Sequence, residues 1–206
     1  MLLHYYGRPF RVFFPNYTWR RNTKEKKIYL TFDDGPIPEV TEFVLDELAK
    51  VNVKATFFCV GDNVRKHPTI FQRLIAEGHP PANHTYNHLN GRRNEFGKYV
   101  GNVNDCQALM PKSFGKKLFR PPYGMISNKQ TKALISDYEV VMWDVLSGDF
   151  HPKISAEKCL EKTIRYSRPG SIVLFHDSVK SYEKIKFALP RYLDHMLKAG
   201  YQFELL

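Results

Sequence analysis

The chain has 206 residues, of which 43% are hydrophobic and 25% charged, a balance typical of one globular domain with a full core. No apolar run reaches the length of a membrane span and no signal-peptide pattern opens the chain, so the sequence by default predicts a cytoplasmic protein. The formal net charge is +10, but Lys and Arg are dispersed and nucleic-acid-binding motifs are absent, which predicts that nucleic acid is not a partner.

Residues 1–25 are rich in aromatic and basic side chains and show no helical or strand period. Phe10, Phe14 and Trp19 are among several apolar side chains there, so we predict an N-terminal arm that packs across a domain formed by residues 26–206. The weaker alternative is contact of this arm with a membrane surface, in which its arginines face lipid headgroups.

The rest of the chain alternates strand and helix patterns, beginning with Ile28, Leu30 and Phe32 at every second position of a strand. This rhythm predicts an α/β fold with a parallel sheet and right-handed crossovers. A loop is predicted at 144–152, and Pro190 is expected to kink or split the last helix. The strands are predicted at 26–32, 54–60, 80–82, 118–120, 138–143, 171–175 and 201–205, and the helices at 38–50, 68–77, 93–110, 127–136, 155–166 and 182–198.

Polar side chains with catalytic chemistry follow the ends of several predicted strands. Two neighbouring aspartates end the first strand, and they repel each other unless a cation or a proton is near. In a parallel barrel the carboxyl ends of all strands meet at one face. We therefore expect the following residues to gather there: Asp33, Asp34, His84, His88, Arg120, Asp149 and His176.

His84 and His88 are four residues apart, and on a helix this spacing places both imidazoles on one face, close enough to hold one ion. An aspartate from the end of the first strand would complete a set of two imidazoles and one carboxylate. Such a set suits Zn²⁺ or a similar divalent ion with open coordination positions, which lowers the pKa of bound water to about 7. The neighbouring aspartate is then a natural base, and a histidine across the pocket a natural acid. Exposed histidines that bind no metal are the alternative interpretation.

Five short motifs occur in one order along the chain: TFDDGP at 31–36, HTYNH at 84–88, RPPYG at 120–124, SGDF at 147–150 and LFH at 174–176. They resemble the motifs of the polysaccharide deacetylases with a NodB homology domain, carbohydrate esterase family 4. The resemblance covers residues 26–206 and implies a distorted (β/α) barrel of about seven parallel strands. It also implies removal of acetyl groups from N-acetylglucosamine units of a glycan, such as a chitin oligomer or peptidoglycan.

The resemblance further implies a metal centre and a base–acid pair at the matching positions. One divalent metal, Zn²⁺ with Co²⁺ or Ni²⁺ as alternatives, would be held by Asp34, His84 and His88. Asp33 would take the proton of the metal-bound water as general base, and His176 would protonate the departing amine as general acid.

Other residues would support this chemistry, again by resemblance. Arg120 would orient the base and Asp149 the acid. The backbone N–H of Tyr123 would stabilise the oxyanion, and Leu174 would line the pocket for the acetyl methyl group. Phe150 would form part of the wall that contacts the substrate.

Three features depart from the family pattern. Leu146 stands where the fourth motif usually carries an acidic residue, and Phe150 stands where it carries Trp, while Asp149 is retained. Ala82 replaces a usual Gly before the second motif. Family members usually act outside the cytoplasm, so the resemblance implies the cell envelope although no export signal is visible. The two departures in the fourth motif change the wall of the groove more than the chemistry.

Two other functions remain as alternatives. One is a different amidohydrolase on the same barrel, either a metal-independent allantoinase-like enzyme or a deformylase of a lipid-linked sugar. The other is a catalytically silent glycan-binding module. Retention of all three implied metal ligands and of both the base and the acid favours the deacetylase. Chitin oligomers, peptidoglycan and, more remotely, acetylated xylan all fit as substrates.

Overall fold

The computed structural model describes residues 4–5, 12–111 and 117–206 of the chain. Its strands are β1 (Lys27–Asp33), β2 (Thr56–Cys59), β3 (Pro81–Asn83), β4 (Leu118–Phe119), β5 (Glu139–Val140), β6 (Val145–Leu146), β7 (Ile172–His176) and β8 (Gln202–Phe203). Seven of them are parallel and form a curled half-barrel in the order β5-β4-β3-β2-β1-β7-β6, and β8 pairs in parallel with the start of β1. The predicted α/β fold with about seven parallel strands is confirmed.

The helices of the described chain are α1 (Val40–Lys50), α2 (Gly61–Lys66), α3 (Pro68–Ala76), α4 (Phe96–Gln107), α5 (Asn128–Leu134), α6 (Ala156–Tyr166) and α7 (Tyr182–Lys198). Ser127 and Ser155 act as N-caps, since each hydroxyl accepts a hydrogen bond from a backbone N–H in the first turn of its helix. Helix α7 continues through Pro190 to its end at Lys198, so the predicted split does not occur. Within the described ranges, no helix has both the length and the apolar character required to cross a bilayer.

Two short elements differ from the prediction. Strand β6 lies inside the region predicted as a loop at 144–152, and α2 was not predicted at all. Both residues of β6 are buried, but a strand of two residues has no alternation to recognise. Helix α2 begins at a glycine and spans six residues, of which only Gly61 and Val64 are buried, so it carries no amphipathic period.

The alternation along β1 sends its side chains to two different cores. Ile28, Leu30 and Phe32 are fully buried and belong to the core cluster that includes residues of α1 and α7. Thr31 and Asp33 face the other side, where both accept hydrogen bonds from Arg120 in the interior of the barrel. The strand period therefore separates the packing face of β1 from its chemical face.

The described part of the N-terminal segment lies along the open side of the half-barrel. The Thr18 amide donates to the Val140 carbonyl over 2.8 Å, and the Thr18 carbonyl accepts from the Met142 amide over 2.7 Å. Trp19 is 5% exposed and packs in the same apolar cluster as Leu174. Residues 1–3 and 6–11 of the predicted arm lie outside the described residues, and the division of the chain at residue 25 stays a prediction.

Two glycine substitutions should change the free energy of unfolding in opposite directions. The first tests the contact between Gly170 and the N-terminal segment, and the second tests a glycine inside a helix. Gly170 has φ +83°, and a Cβ there would overlap the carbonyl of Arg21, so Gly170→Ala should lower the free energy of unfolding by about 1–3 kcal/mol. Gly101 lies inside α4 with open space around it, so Gly101→Ala should raise stability by about 1 kcal/mol. Urea unfolding of both variants measures the difference, and equal stability of Gly170→Ala and wild type would contradict the contact.

Candidate active site

The register of the sheet sets two catalytic candidates opposite each other. Asp33 and His176 are the paired residues at the carboxyl ends of β1 and β7. A cavity of about 310 Å³ opens at this end of the barrel. It is lined by Asp33, Asp34, His84, His88, Tyr123, Trp143, Leu146, Phe150, Leu174, His176 and Lys180. All the residues predicted for the metal, the base, the acid and the substrate therefore lie around one cavity.

Arg120 lies behind the cavity wall and holds Asp33. Its side chain is fully buried, and its Nη1 donates to Asp33 Oδ1 over 2.6 Å. Three further N–H groups donate to Thr31 Oγ1 and to the carbonyls of Val141 and Met142, over 2.9–3.1 Å. The guanidinium also lies 3.9 Å from the ring centroid of Phe58. With one carboxylate oxygen fixed in this way, the other oxygen of Asp33 is left on the side of His84.

Asp34, His84 and His88 form a cluster that could hold one metal ion. One potential ligand atom from each residue lies within 4.8 Å of the others. The Nε2 atoms of His88 and His84 lie 3.1 and 3.8 Å from Asp34 Oδ1. Nδ1 of His84 donates to the Arg120 carbonyl over 2.7 Å, which leaves the Nε2 lone pair for a ligand.

The electrostatics of this cluster also suit a metal. Burial lowers the pKa of His84 to about 4, so its imidazole is neutral at physiological pH. Burial opposes ionisation of Asp34, but the hydrogen bond with His88 and the charge of His176 outweigh it and hold the pKa of Asp34 below its usual range. A carboxylate together with two imidazole nitrogens is a donor set that suits Zn²⁺.

The two histidines are brought together by a loop, so the suggestion that they share a helix face is wrong. Residues 84–90 follow β3 without helical structure, and Thr85 and His88 have φ values of 63° and 55°. The Thr85 amide donates to Asn83 Oδ1, and the Thr85 hydroxyl accepts from the Leu89 amide. This turn places the two imidazole ring centroids 5.0 Å apart.

Unfavourable backbone conformations concentrate at the cavity. Six non-glycine residues in the described ranges have positive φ, and four of them are Asp34, Thr85, His88 and Tyr123. Such conformations cost about 1–3 kcal/mol each and persist only where surrounding contacts enforce them. The destabilising backbone conformations thus lie where the predicted metal ligands converge.

His176 and Asp149 form the second buried pair. Asp149 accepts from His176 Nδ1 over 2.8 Å and from the His176 backbone amide over 2.6 Å. Burial favours a neutral imidazole, but the charge and hydrogen bond of Asp149 prevail and raise the pKa of His176 to about 9. The Phe150 ring packs against the imidazole with 4.9 Å between centroids. The imidazole is therefore protonated at neutral pH, with Nε2 left for the cavity.

Two lysines near the site were not recognised from the sequence. Lys180 Nζ lies 3.3 Å from Asp34 Oδ2 at the rim of the cavity. Lys184, on α7, donates to the carbonyls of Asp149 and His151 over 3.0 and 2.7 Å. Neither residue belongs to a motif, and contacts between distant chain segments give no local signal.

The curled α/β barrel, with acid, base and ligand-type side chains at the carboxyl ends of its strands, has the architecture of an enzyme. The sequence model for the family described as polysaccharide deacetylase matches residues 20–143. The chain belongs to the polysaccharide deacetylases of carbohydrate esterase family 4. The resemblance drawn from the five motifs is confirmed.

Individual relatives are similar over most of this chain. A peptidoglycan-N-acetylglucosamine deacetylase of Bacillus cereus is 34% identical over 192 residues, which cover 90% of this chain and 89% of the relative. A second Bacillus cereus protein of that name is 37% identical over 155 residues, which cover 74% of this chain and 56% of the relative, so the match spans about half of that relative. A crystal structure of a peptidoglycan N-acetylglucosamine deacetylase with 4-naphthalen-1-yl-N-oxidanyl-benzamide has a TM-score of 0.89 and 31% identity, covering 97% of this chain and 95% of that one.

Metal titration tests the ligand cluster. We expect chelator-treated wild type to bind one Zn²⁺ per chain in isothermal titration calorimetry. Asp34→Asn keeps the size of the side chain but removes its charge, so its affinity for Zn²⁺ should fall about 100-fold or more. His195→Gln is the matched control, because His195 is an exposed histidine of α7. Wild-type affinity in Asp34→Asn would place the ion elsewhere.

Proposed function

We propose that this chain is a metal-dependent deacetylase that hydrolyses the acetamido group of N-acetylglucosamine units in a glycan. The observation that carries the proposal is that Asp33 and His176, register partners on neighbouring strands, line the same cavity as the Asp34–His84–His88 cluster. A carboxylate base and an imidazolium acid beside a metal position supply the proton transfers that metal-assisted hydrolysis of an amide uses. Membership of the deacetylase family supports the same reaction.

The donor set of the cluster fits a divalent ion. Asp34, His84 and His88 would hold it, with Zn²⁺ as our first choice and Co²⁺ or Ni²⁺ as alternatives. When bound, such an ion lowers the pKa of water and polarises a carbonyl oxygen. The hydrogen bond from His84 Nδ1 to the Arg120 carbonyl fixes the tautomer that presents Nε2 to the ion.

Asp33 is the proposed general base. Arg120 holds Oδ1, so Oδ2 is directed to the side where a water molecule would attack. As the water oxygen bonds to the acetyl carbon, Asp33 takes the proton that the water loses. Arg120 acts through Asp33 by fixing its orientation.

His176 is the proposed general acid. Its raised pKa keeps it protonated at neutral pH, and Asp149 fixes the ring so that Nε2–H points to the cavity. When the carbon–nitrogen bond breaks, His176 gives its proton to the departing nitrogen. The products are acetic acid, which ionises to acetate, and a free amino sugar, which takes up that proton. Transfer of the proton held by Asp33 to His176, directly or through solvent, restores both groups.

The substrate-contacting residues form the remaining wall. We propose that the Tyr123 backbone N–H stabilises the oxyanion and that Leu174 contacts the acetyl methyl group, both positions lying on the cavity. Phe150 and Leu146 would contact the sugar on the same side as His176. The apolar character of this part of the wall suits the flat faces of a pyranose ring.

The names of the relatives support a proposal for the substrate and for the site of action. Two of them are named peptidoglycan-N-acetylglucosamine deacetylases, so we propose peptidoglycan as the first substrate and chitin oligomers as the second. A peptidoglycan substrate places the activity in the cell envelope. We further propose that residues 1–25 are an arm packed on a catalytic domain of residues 26–206.

Acetate release with a base-deficient variant tests the proposed function. Zn²⁺-loaded wild type should release acetate from peptidoglycan fragments or from N-acetylglucosamine oligomers, with acetylated xylan as a further candidate. In Asp33→Asn, kcat should fall at least about 100-fold because the proton acceptor is lost, while the three metal ligands remain. Zn²⁺ content is measured on both proteins. If metal-loaded wild type binds these glycans tightly and releases no acetate, the chain is a binding module instead.

The pH profile tests the base–acid assignment. His176 must be protonated to act, so kcat/KM should decline as the pH rises through about 9. Asp149→Asn removes the charge that raises this pKa, and burial then lowers it, so the alkaline limb should move to lower pH. A profile that is reduced in height but unchanged in shape would show that Asp149 only supports the fold.

A further inference from the structure

The backbone of Asp34 is held in a left-handed conformation that aspartate rarely adopts. Its φ is 88°, and the residue lies between the end of β1 and the glycine that follows. Because Asp34 Oδ1 faces both imidazoles of the ligand cluster, a rotation of this backbone would carry the carboxylate away from them. Something outside β1 has to enforce the conformation.

Both polar atoms of the peptide group between Asp34 and Gly35 are bound by side chains. The Asp34 carbonyl accepts from Nδ2 of Asn63 over 2.7 Å, and the Gly35 amide donates to Oδ1 of Asp177 over 3.1 Å. Asn63 lies on α2, and Asp177 directly follows β7. Two elements far apart in the sequence therefore grip one peptide plane from opposite sides.

Asp177 also fixes the rest of the loop. Its Oδ2 accepts from the Thr41 hydroxyl over 2.6 Å, and the Thr41 oxygen in turn accepts from the Ile37 amide over 2.7 Å. Asp177 is 1% exposed, and a Cβ on Gly35 would overlap its carboxyl group. The loop from 34 to 37 is thus closed onto the end of β7 with no space between them.

The position of Asp177 next to His176 gives this contact a consequence for the site. His176 is the proposed acid, and Asp33 and Asp34 are the proposed base and a proposed metal ligand. Strand pairing sets the position of Asp33 relative to His176, and the buried Asp177 side chain, which joins the β1 loop to the end of β7, sets that of Asp34. Small displacements of such groups are costly, since about 1 Å can cost 100-fold in rate.

We propose that Asp177 and Asn63 are positioning residues that clamp the Asp34–Gly35 peptide and thereby hold the metal ligand Asp34 and the acid His176 in register. The role of the clamp in catalysis rests on the proposed deacetylase function. Its role in shaping the ligand cluster does not, because the hydrogen bonds exist in the protein itself.

The partners of the Asp177 carboxyl group are a neutral backbone amide and a neutral hydroxyl, and burial raises the pKa of Asp177 to about 8. The clamp requires an acceptor for the Gly35 amide and a partner for the Thr41 hydroxyl. An asparagine offers both, with its oxygen accepting from Gly35 and its NH₂ donating to Thr41. Asp177→Asn should therefore preserve the clamp, whereas Asp177→Leu, of similar size, should abolish it.

The test compares four variants with wild type in two measurements. Asp177→Leu and Asn63→Ala each break one side of the clamp, and Asp177→Asn is the conservative rescue. Thr163→Val is the matched control, because it removes a buried hydroxyl that donates to the Cys159 carbonyl within α6. The measurements are amide hydrogen exchange over residues 34–41 and Zn²⁺ affinity by calorimetry, with thermal melting to establish that each variant is folded.

We expect Asp177→Leu and Asn63→Ala to exchange the 34–41 amides at least 10-fold faster and to bind Zn²⁺ about 10- to 100-fold more weakly. Asp177→Asn and Thr163→Val should stay within threefold of wild type in both. If Asn63→Ala and any folded Asp177→Leu keep wild-type exchange and affinity, the proposed positioning role of Asp177 and Asn63 is wrong. That result leaves the proposed deacetylase function unaffected. If these two variants behave as expected but wild type releases no acetate, the function fails and the clamp stands. If wild type binds no Zn²⁺, hydrogen exchange alone decides.

Discussion

The buried contact between Arg120 and Asp33 is the interaction on which the rest of the site depends. Arg120 is fully enclosed, and its charge is balanced by one oxygen of Asp33 over 2.6 Å. Its other N–H groups are used by backbone carbonyls and Thr31, and its own carbonyl fixes His84. Removing one partner of such a buried pair leaves an uncompensated charge and costs about 3–5 kcal/mol. One residue after β4 thus sets both the proposed base and one proposed ligand.

The parallel sheet explains why so few strands can assemble this chemistry. Asp33 and His176 are register partners at the ends of neighbouring strands, so the separation between base and acid is determined by strand pairing. The ligand histidines follow β3 on the opposite side of β1 from β7. Because β1 lies between β3 and β7 in the sheet order, Asp33 and Asp34 at the end of β1 lie between the ligand histidines and the proposed acid. Local strain at Asp34 and His88 completes the arrangement.

The sequence predicts the order of elements and the membership of the site, but not its supporting contacts. Alternating Ile28, Leu30 and Phe32 define β1, and the motifs place the proposed base and acid, Asp33 and His176, at the ends of two strands. Strand β6 could not be predicted because a strand of two residues shows no alternating pattern. The loop conformation between His84 and His88 could not be predicted because a spacing of four residues fits a helix equally well. The contacts of Asp177 and Lys184 could not be predicted because their partners are distant in sequence, and only the folded chain brings them together.

The most direct measurement is ¹³C NMR of Zn²⁺-loaded protein mixed with a peptidoglycan fragment that carries ¹³C-labelled N-acetyl groups on its glucosamine units. We expect the amide signal to be replaced by that of free acetate, with the glycan chain left intact and its glucosamine amines exposed. Persistence of the amide signal over many hours, in protein that contains one Zn²⁺ per chain and binds the fragment, would contradict the proposed deacetylase function.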